Sequence, residues 1–327
     1  MSQDKPFPID AVITWVDGND PAHKAKMQPY LGKQPEVNAQ TIKMRYGQIN
    51  EIAFSIRSIL KFAPFIRKIY VVSDNQIPDF LRDSRQSKKE FEKVIVVDHK
   101  VIFKNYPQYL PTFNSRAIAS LLCEIHGLSE HFLYFNDDFF LYNKVSVEDF
   151  FVKGQPVIRG VWSSFYKDLW YKKMQSFFKG LTNKPKKIQP GYKLGQQTIA
   201  SALGFKKYFR IDHCVAPMKK STLEKFYLER PDLLDCNLKY RFRHPEQYVV
   251  QSLANHLALK EGSAVIKKDL QLIYFQNYKK PLAWIKYKLN KGVKNNKKLF
   301  LCMQSLDQCP EEKLAYILPF LDKHYQS

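Results

Sequence analysis

The chain has 327 residues, of which 45% are hydrophobic and 25% are charged, and this composition excludes a disordered or fibrous protein. Its formal net charge of +21 is unevenly distributed: residues 1–150 hold 19 basic and 18 acidic side chains, whereas residues 151–327 hold 33 and 13. The asymmetry predicts a basic surface that meets nucleic acid, lipid headgroups or a phosphorylated substrate, although a solvated lysine-rich surface would have the same composition.

The first 150 residues alternate between short apolar runs and helical patterns. Apolar spacing predicts a helix over 48–62, and Asn114 or Ser115 is a suitable N-cap for a second helix through Ile125. The alternation predicts an α/β fold with a Rossmann-like, mostly parallel sheet and flanking helices. Four runs rich in β-branched or aromatic residues are the predicted strands: 9–16, 68–73, 94–97 and 132–135.

Polar residues follow every one of these predicted strands. In open α/β sheets the ligand crevice lies outside the carboxyl ends of the strands, so these residues are candidates for a site. Turns favour Asp and Asn in any case, which is the alternative explanation. The polar residues are Asp17, Asp74-Asn75, Asp98-His99 and Asn136-Asp137-Asp138.

The second part of the chain is basic and is predicted to be more helical. Prolines, glycines and lysines predict a long loop over 165–195, and helices are predicted over 219–229 and 246–261. Residues 279–298 interleave lysines with aromatic and aliphatic side chains. We expect either two parts, divided near residue 150, or one continuous catalytic domain.

Three groups of side chains could carry chemistry. Asp137 and Asp138 suit Mg²⁺, which takes oxygen ligands and shares them with substrate phosphates, although acidic pairs are also common in turns. His213 is a candidate acid-base group or a histidine of the core. Arg241 and Arg243 are spaced to face the same side of an extended segment, where they would clamp phosphate or be solvated.

Several familiar motifs are missing. The sequence has no GxGxxG, GxxxxGK[ST], GxSxG or HExxH motif, and no helix-turn-helix, zinc-finger or RNP signature supports a nucleic-acid partner. Five cysteines form no CxxC, residues 1–8 lack the apolar part of a secretory signal, and no run approaches the roughly 18 apolar residues of a membrane span. These features predict a reducing, cytoplasmic setting.

Residues 9–21, IDAVITWVDGNDP, are similar to the first conserved region of a known family, and three further regions are similar to it as well. The family that they resemble is the Stealth family, the bacterial capsular and exopolysaccharide phosphotransferases related to the catalytic part of lysosomal-enzyme N-acetylglucosamine-1-phosphotransferase. The second similar region begins around Arg45. It continues through Asn50-Glu51, Ser55-Ile56-Arg57-Ser58, Ser73-Asp74-Asn75-Gln76 and Thr112-Phe113-Asn114-Ser115 to Asn136-Asp137-Asp138. The third region is Asp212 to Met218, and a looser fourth comprises Phe242-Arg243 and Leu301-Cys302-Met303.

The resemblance implies an enzyme that moves a hexose or N-acetylhexosamine 1-phosphate from a UDP-sugar to a glycan hydroxyl. It would form a phosphodiester in a surface polysaccharide and release UMP, with Mg²⁺ or Mn²⁺ assisting. Residues 1–150 would hold donor and metal, and 151–327 would complete the site and bind the acceptor. The alternatives are a metal-dependent glycosyltransferase that releases UDP and a non-catalytic module that binds an anionic surface.

The expected partners are therefore the UDP-sugar donor and the growing surface glycan. The basic second part makes the anionic inner face of the plasma membrane a further candidate partner. Nucleic acid is not expected.

The family pattern also implies roles for individual residues. Asp137 and Asp138 match its metal-proximal acids, and Asp138 is counted with the catalytic residues. His213 would be the general base or a phosphate ligand, Asp10 competes for the base role, and Arg243 would stabilise the transferred phosphoryl group. We expect substrate contacts from Trp15, Asp17, Arg45, Arg57, Asn75, Asn114 and Arg241.

One departure from the family pattern concerns the end of the site. The family often has Cys-x-Asn-Asp in this region, whereas here Cys302 is followed by Met303, Gln304 and Ser305. Whether the segment from Cys302 to Asp307 contributes to the site therefore stays open, with Asp307 as a candidate substitute.

Overall fold

The computed structural model of the chain describes five stretches, which are residues 7–31, 46–47, 49–82, 89–168 and 190–326. Two predictions fall outside these stretches. They are the substrate contact expected from Arg45 and most of the loop predicted over 165–195.

Thirteen strands occur in the described part of the chain, and the four predicted strands are among them, to within two residues at either end. The strands are β1 (Ile9–Thr14), β2 (Ile66–Ser73), β3 (Val94–Asp98), β4 (His131–Asn136), β5 (Phe139–Leu141), β6 (Phe151–Val152), β7 (Gln155–Arg159), β8 (Val161–Ser163), β9 (Tyr208–Arg210), β10 (Ala216–Lys219), β11 (Val265–Lys267), β12 (Leu272–Phe275) and β13 (Phe300–Met303).

Ten α-helices occur in the same stretches, and six of them follow residue 150, as predicted for the second part. They are α1 (Pro21–Leu31), α2 (Glu51–Phe62), α3 (His99–Ile102), α4 (Ser115–Ser120), α5 (Tyr192–Ala202), α6 (Lys220–Glu229), α7 (Pro231–Leu238), α8 (Val250–Lys260), α9 (Leu282–Val293) and α10 (Glu311–Tyr325). The helix predicted to reach Ile125 ends at Ser120 and is followed by a short 3₁₀ helix over Leu122–Glu124. None of these described helices is long and apolar enough to cross a membrane.

The main sheet has five strands in the order β10–β4–β1–β2–β3. Strands β1 to β4 are parallel, and β10 is antiparallel to β4, which confirms the predicted α/β class with a mostly parallel sheet. The chain adds β2 and β3 on one side of β1 and then returns to the other side to form β4. Such a reversal opens a crevice at the carboxyl ends of the two central strands, here β1 and β4.

Helices cover both faces of this sheet, as its nearly continuous apolar strands require. All six residues of β1 are buried. On one face α2 packs its apolar side, formed by Ile52, Ile56 and Ile59, into a core shared with β1 and β2. On the other face Val12 and Val72 belong to a core that includes residues of α4, α6, α7 and α8. The burial of α2 explains why its helical spacing was readable from the sequence.

Strand pairing crosses the boundary predicted near residue 150. Strand β10 extends the main sheet at β4, and β13 pairs with both β5 and β12. Helix α9 comes so close to this smaller sheet that a Cβ on Gly292 would lie 2.1 Å from Ile273 Cδ1, so a larger residue there would require neighbouring side chains to shift. We therefore propose one continuous domain, the second of the two arrangements expected from the sequence.

Candidate active site

A cavity of about 200 Å³ lies at the carboxyl ends of β1 and β4, where the strand order predicts a crevice. The cavity brings together predicted residues from four separate parts of the chain. They are Trp15, Asp137, Asp138, His213 and Arg243.

The acidic pair lies in the tight turn between β4 and β5. Burial raises the pKa of Asp137 and of Asp138 well above the usual carboxyl range. The charge of Asp138 raises the pKa of Asp137 further, and the charge of Glu51 does the same for Asp138, while Arg243 offsets part of the effect. Neighbouring carboxylates that resist ionisation in this way favour the approach of a cation.

Glu51 is a third buried acid of this cavity, and the sequence analysis did not single it out. It begins α2, is 6% exposed and accepts a hydrogen bond of 2.7 Å from the backbone N–H of Ile49. Burial, and then the charges of Asp137 and Asp307, raises its pKa to about 7. An acid in the first turn of a helix is ordinary, because it complements the helix dipole. The sequence places Glu51 in the second similar region without a predicted role, and the packing of α2 against the acidic turn brings it into the cavity.

His213 reaches the cavity from the segment between β9 and β10. Its ring is stacked with Tyr192 at a centroid distance of 4.3 Å and with Tyr274 at 5.7 Å. Burial, and then the charge of Arg243, lowers the pKa of the imidazole to about 4. His213 is therefore neutral at neutral pH and able to accept a proton.

Arg243 lines the cavity and donates a hydrogen bond of 2.8 Å from Nη2 to the Ser115 hydroxyl at the start of α4. This contact fixes one edge of the guanidinium. A guanidinium presents five N–H donors in a planar fork that matches phosphate oxygens. Arg243 is thus suited to hold a phosphoryl group in the cavity.

Asn114 supports the segment that carries Arg243. Its side-chain amide donates to the carbonyl oxygens of Tyr240 (2.8 Å) and Phe242 (2.9 Å) and to Gln247 Oε1 (2.9 Å), and its Oδ1 caps α4 by accepting from the Arg116 N–H (3.1 Å). Asn114 is fully buried. The predicted substrate contact of Asn114 is therefore corrected: its polar atoms are used inside the protein.

The predicted catalytic role of Asp10 is also corrected. It lies at the amino end of β1, away from the cavity, and is fully buried. Arg67 donates to both of its oxygens (2.9 and 2.6 Å), and the backbone N–H groups of Ser129 (2.7 Å) and Lys68 (3.2 Å) donate to them as well. Because the carboxylate is held at the wrong end of the strand, the predicted catalytic role of Asp10 does not fit the structure.

Two of the predicted arginine contacts are corrected for a similar reason. Arg57 donates to Glu90 (2.9 Å) and lies over the ring of Phe91. Arg241 donates to the carbonyl of Pro111 (2.5 Å) and lies 4.7 Å above the ring of Tyr30. Both guanidinium groups are engaged outside the cavity, so Arg241 and Arg243 do not form a joint clamp.

Asp17 and Asn75 lie in the turns after β1 and β2 and do not line the cavity. The Asp17 carboxylate accepts from the Asn19 N–H (2.8 Å), and the Asp17 backbone exchanges hydrogen bonds with Gln76 (2.9 and 3.0 Å). Asn75 is exposed, with a φ of 54°, in the left-handed region that Asn tolerates. Their contacts with substrate stay predictions.

The segment from Cys302 to Asp307, which ends β13 and continues beyond it, contributes to the wall of the cavity despite its departure from the family pattern. The backbone N–H of Met303 donates to the Asp138 carbonyl (3.2 Å), and the thiol of Cys302 lies 3.8 Å from Asp138 Oδ2. Ser305 and Asp307 line the cavity. The end of β13 therefore packs directly against the acidic turn.

The chain matches two conserved regions described for the Stealth protein: conserved region 1 over residues 7–35 and conserved region 2 over residues 45–158. The capsular polysaccharide phosphotransferase cps12A of Actinobacillus pleuropneumoniae is 33% identical over 86% of this chain and 71% of its own length. The corresponding protein fcs1 of Haemophilus influenzae is 30% identical over 91% and 78%. The chain therefore belongs to the Stealth family, as its motifs predicted.

A longer relative sets a limit on this likeness. The exopolysaccharide phosphotransferase SCO6023 of Streptomyces coelicolor is 32% identical over 84% of this chain, but the match covers only 44% of that protein. The chain thus spans less than half the length of this relative. The predicted enzyme class, a phosphotransferase of capsule or exopolysaccharide synthesis, agrees with the names of all three relatives.

Two solved structures align with most of the chain at low similarity. Mouse xyloside xylosyltransferase 1 in its apo form shares 10% identity and a TM-score of 0.43, over 92% of this chain and 99% of that one. The galactosyltransferase LgtC in complex with donor and acceptor sugar analogues shares 11% identity and a TM-score of 0.45, over 96% and 95%. Because these scores are low, the fold class rests on the strand order described above.

Proposed function

We propose that the chain transfers a sugar 1-phosphate from a UDP-sugar to a glycan hydroxyl and releases UMP. One observation carries the proposal: Asp137, Asp138 and Glu51 share a single cavity with Arg243 and His213, at the crevice between β1 and β4. Phosphoryl transfer depends on positioning and charge neutralisation more than on covalent catalysis. These residues are suited to supply both.

The acidic pair fits a divalent cation shared with the substrate. Within the described stretches, no group of three or more His, Cys, Asp or Glu side chains is arranged to hold a metal ion. Mg²⁺ is usually bound by one or two carboxylates together with substrate phosphates. Asp137 and Asp138 would therefore hold Mg²⁺ or Mn²⁺ jointly with the diphosphate, whose charge the cation neutralises when bound.

His213 and Arg243 would act on the acceptor proton and on the transferred phosphoryl group, respectively. His213 accepts the proton of the acceptor hydroxyl, and the hydroxyl oxygen then bonds to the β-phosphorus of the donor. The bond from that phosphorus to the bridging oxygen breaks, and UMP leaves. Arg243, oriented by Ser115, donates to the phosphoryl oxygens as charge develops on them. Glu51 replaces Asp10 as the second candidate for the proton acceptor.

The basic second part supplies a surface for an anionic acceptor. Residues 279–298 contain eight lysines and no acidic residue, and Trp284 and Tyr287 on α9 are exposed. This surface adjoins the site, because Lys288 donates to the carbonyl of Tyr274 (2.7 Å), whose ring stacks on His213. A growing phosphodiester glycan is the partner that the proposed reaction implies. Salt-dependent binding to anionic vesicles, tested beside binding to the glycan, would show whether the membrane is a partner too.

The products of a donor panel test the proposal. We expect UMP when the protein is incubated with UDP-sugars, Mg²⁺ and a glycan acceptor, and about 10³-fold slower UMP release from Asp138→Asn. Asp232→Asn, an exposed position on α7, is the matched control and is expected to match the wild-type rate. Release of UDP would instead show the alternative glycosyl transfer, and release of neither nucleotide would support a binding module.

A further inference from the structure

No hydrogen bond orients the ring of His213 within the described part of the chain. The ring lines the cavity, and neither of its nitrogens bonds to a described residue. A catalytic histidine is usually oriented by a hydrogen bond from its second nitrogen to a carboxylate or a carbonyl oxygen. The His213 ring is therefore held by contacts of another kind.

Three aromatic rings lie around the imidazole of His213. Tyr192 and Tyr274 are stacked with it, at centroid distances of 4.3 and 5.7 Å and interplanar angles of 26° and 22°. Phe139, on β5, approaches it edge-on at 6.2 Å and 80°. Stacked and edge-to-face arrangements are the favourable geometries of aromatic pairs, so the three rings together restrict the plane of the imidazole.

Tyr274 is itself fixed in place. It lies on β12, whose pairing with β13 sets Tyr274 beside Cys302. Its hydroxyl donates to Gln304 Oε1 (2.5 Å), and its backbone carbonyl accepts from Lys288 (2.7 Å). Gln304 lines the cavity too, so the segment after β13 supports His213 through this tyrosine.

Tyr192 is anchored at the start of α4. It is the first residue of α5, and the carbonyl of the preceding Gly191 accepts a hydrogen bond of 2.9 Å from Arg116 Nη2. Arg116 is buried and follows Ser115, whose hydroxyl accepts from Arg243 (2.8 Å). The first turn of α4 therefore supports both Arg243 and the tyrosine that stacks on His213.

We propose that Tyr192 and Tyr274 are positioning residues, which hold the imidazole of His213 by stacking so that a ring nitrogen faces the acceptor hydroxyl. The proposal rests on the proposed function, because it concerns how the proton acceptor of that reaction is oriented. It requires the aromatic rings of the two tyrosines. It does not require the Tyr192 hydroxyl, which makes no hydrogen bond with a described residue.

The stacked rings also suit the protonated form of His213. Once the imidazole has accepted a proton it is a cation, and both burial and the charge of Arg243 oppose that charge. A cation within about 6 Å of an aromatic centroid is attracted by the negative face of the ring, and both tyrosines lie within that distance. The same contacts therefore orient His213 and offset part of the cost of charging it.

The kinetics of UMP release test whether the rings are needed. Tyr192→Leu should lower kcat by about 10²-fold, because a displaced reacting group loses the geometry of the reaction, and should leave KM within about twofold. Tyr192→Phe keeps the ring and should stay within about twofold of the wild-type rate. Tyr166→Leu, at an exposed position outside the cavity, is the matched control. Tyr274→Leu is a second variant should Tyr192→Leu fail to fold.

A double variant separates positioning from a merely structural role. In a His213→Ala background, Tyr192→Leu should slow UMP release by less than about twofold further, because residues that act as a unit are not additive. An equal loss in both backgrounds would overturn the proposal, and so would a Tyr192→Phe variant as slow as Tyr192→Leu.

Proton NMR of the imidazole tests the same contacts without any turnover. In the wild-type protein, ring currents of the tyrosines should shift the His213 Hε1 resonance upfield of that of the exposed His126. Tyr192→Leu should move the resonance downfield, whereas Tyr192→Phe should leave it in place, and a resonance that does not move in Tyr192→Leu contradicts the stacking. If no UDP-sugar yields UMP but the resonance moves as expected, the rings hold His213 as proposed and the reaction is wrong.

Discussion

Two buried acidic sites occupy the two ends of the parallel strands. At the amino end of β1, Asp10 is fully buried and accepts hydrogen bonds from Arg67 and from two backbone N–H groups. At the carboxyl end of β4, burial raises the pKa of Asp137 and Asp138, and neighbouring acids raise it further. Burial of a carboxylate is therefore common to both ends of the sheet, and incomplete compensation of the charge is what distinguishes the candidate site.

Asp138→Asn is expected to have the largest effect on turnover, and it tests whether the acidic pair at the carboxyl end of β4 is functional. Under the proposed function, loss of one carboxylate would weaken the hold on a cation that would stabilise the transition state by several kcal/mol, so UMP release should fall by about 10³-fold. The free energy of unfolding should stay equal or rise, because a carboxylate that resists ionisation is removed. Kinetics and urea unfolding measure the two quantities. An Asp138→Asn variant that keeps a tenth of the wild-type rate would contradict a catalytic role for Asp138.

Asp10→Asn should show the opposite pattern. The change weakens the hydrogen bonds that the fully buried Asp10 carboxylate accepts from Arg67 and two backbone N–H groups, which costs about 2 kcal/mol. The Arg67 side chain is 41% exposed and stays hydrated, so no larger penalty for an unpaired buried charge is expected. Urea unfolding should show that loss, while the turnover of the folded fraction stays within about twofold of wild type, since Asp10 lies outside the cavity. Unchanged stability together with a large loss of turnover would return Asp10 to the catalytic residues.

The two arginines selected from the sequence provide a matched pair of variants. Arg243→Lys should lower UMP release by about 10²-fold, because an ammonium cannot contact two phosphoryl oxygens in the planar geometry of a guanidinium. Arg241→Lys should change turnover by less than about threefold, because Arg241 contacts Pro111 and Tyr30 instead. Equal losses in the two variants would contradict their separate placement.

The limits of the sequence analysis follow the same contrast. The four parallel strands and α2 could be predicted because their buried residues form local, regular apolar patterns in the sequence. The polar residues that follow the strands predicted where the cavity lies. Strands such as β5 and β13 were missed because they are three or four residues long and pair across more than 150 positions. Asp10 was selected from the family pattern although it stands at the start of its strand, where the rule about carboxyl ends would have excluded it.

The smallest expected effect concerns Glu51, through the pH dependence of the free energy of unfolding. Its pKa is raised from 4.5 to about 7 in the folded protein, so the folded state holds a proton that the unfolded chain has lost. The resulting stability is complete below about pH 4.5 and is lost as the pH rises through about 7. Histidines with lowered pKa act in the opposite direction over part of this window, so the informative quantity is the difference between Glu51→Gln and wild type.

Without divalent cation, Glu51→Gln should therefore gain about 2 kcal/mol in unfolding free energy relative to wild type between pH 5 and pH 8. Saturating Mg²⁺ should reduce this gain, because a cation at Asp137 and Asp138 would favour the ionised form of Glu51 as well. Glu130→Gln, which replaces a partly exposed acid, serves as the control and should show no such pH dependence. A difference that is flat with pH would mean that Glu51 is compensated in the way Asp10 is. The acidic side of the cavity would then consist of the aspartate pair without Glu51.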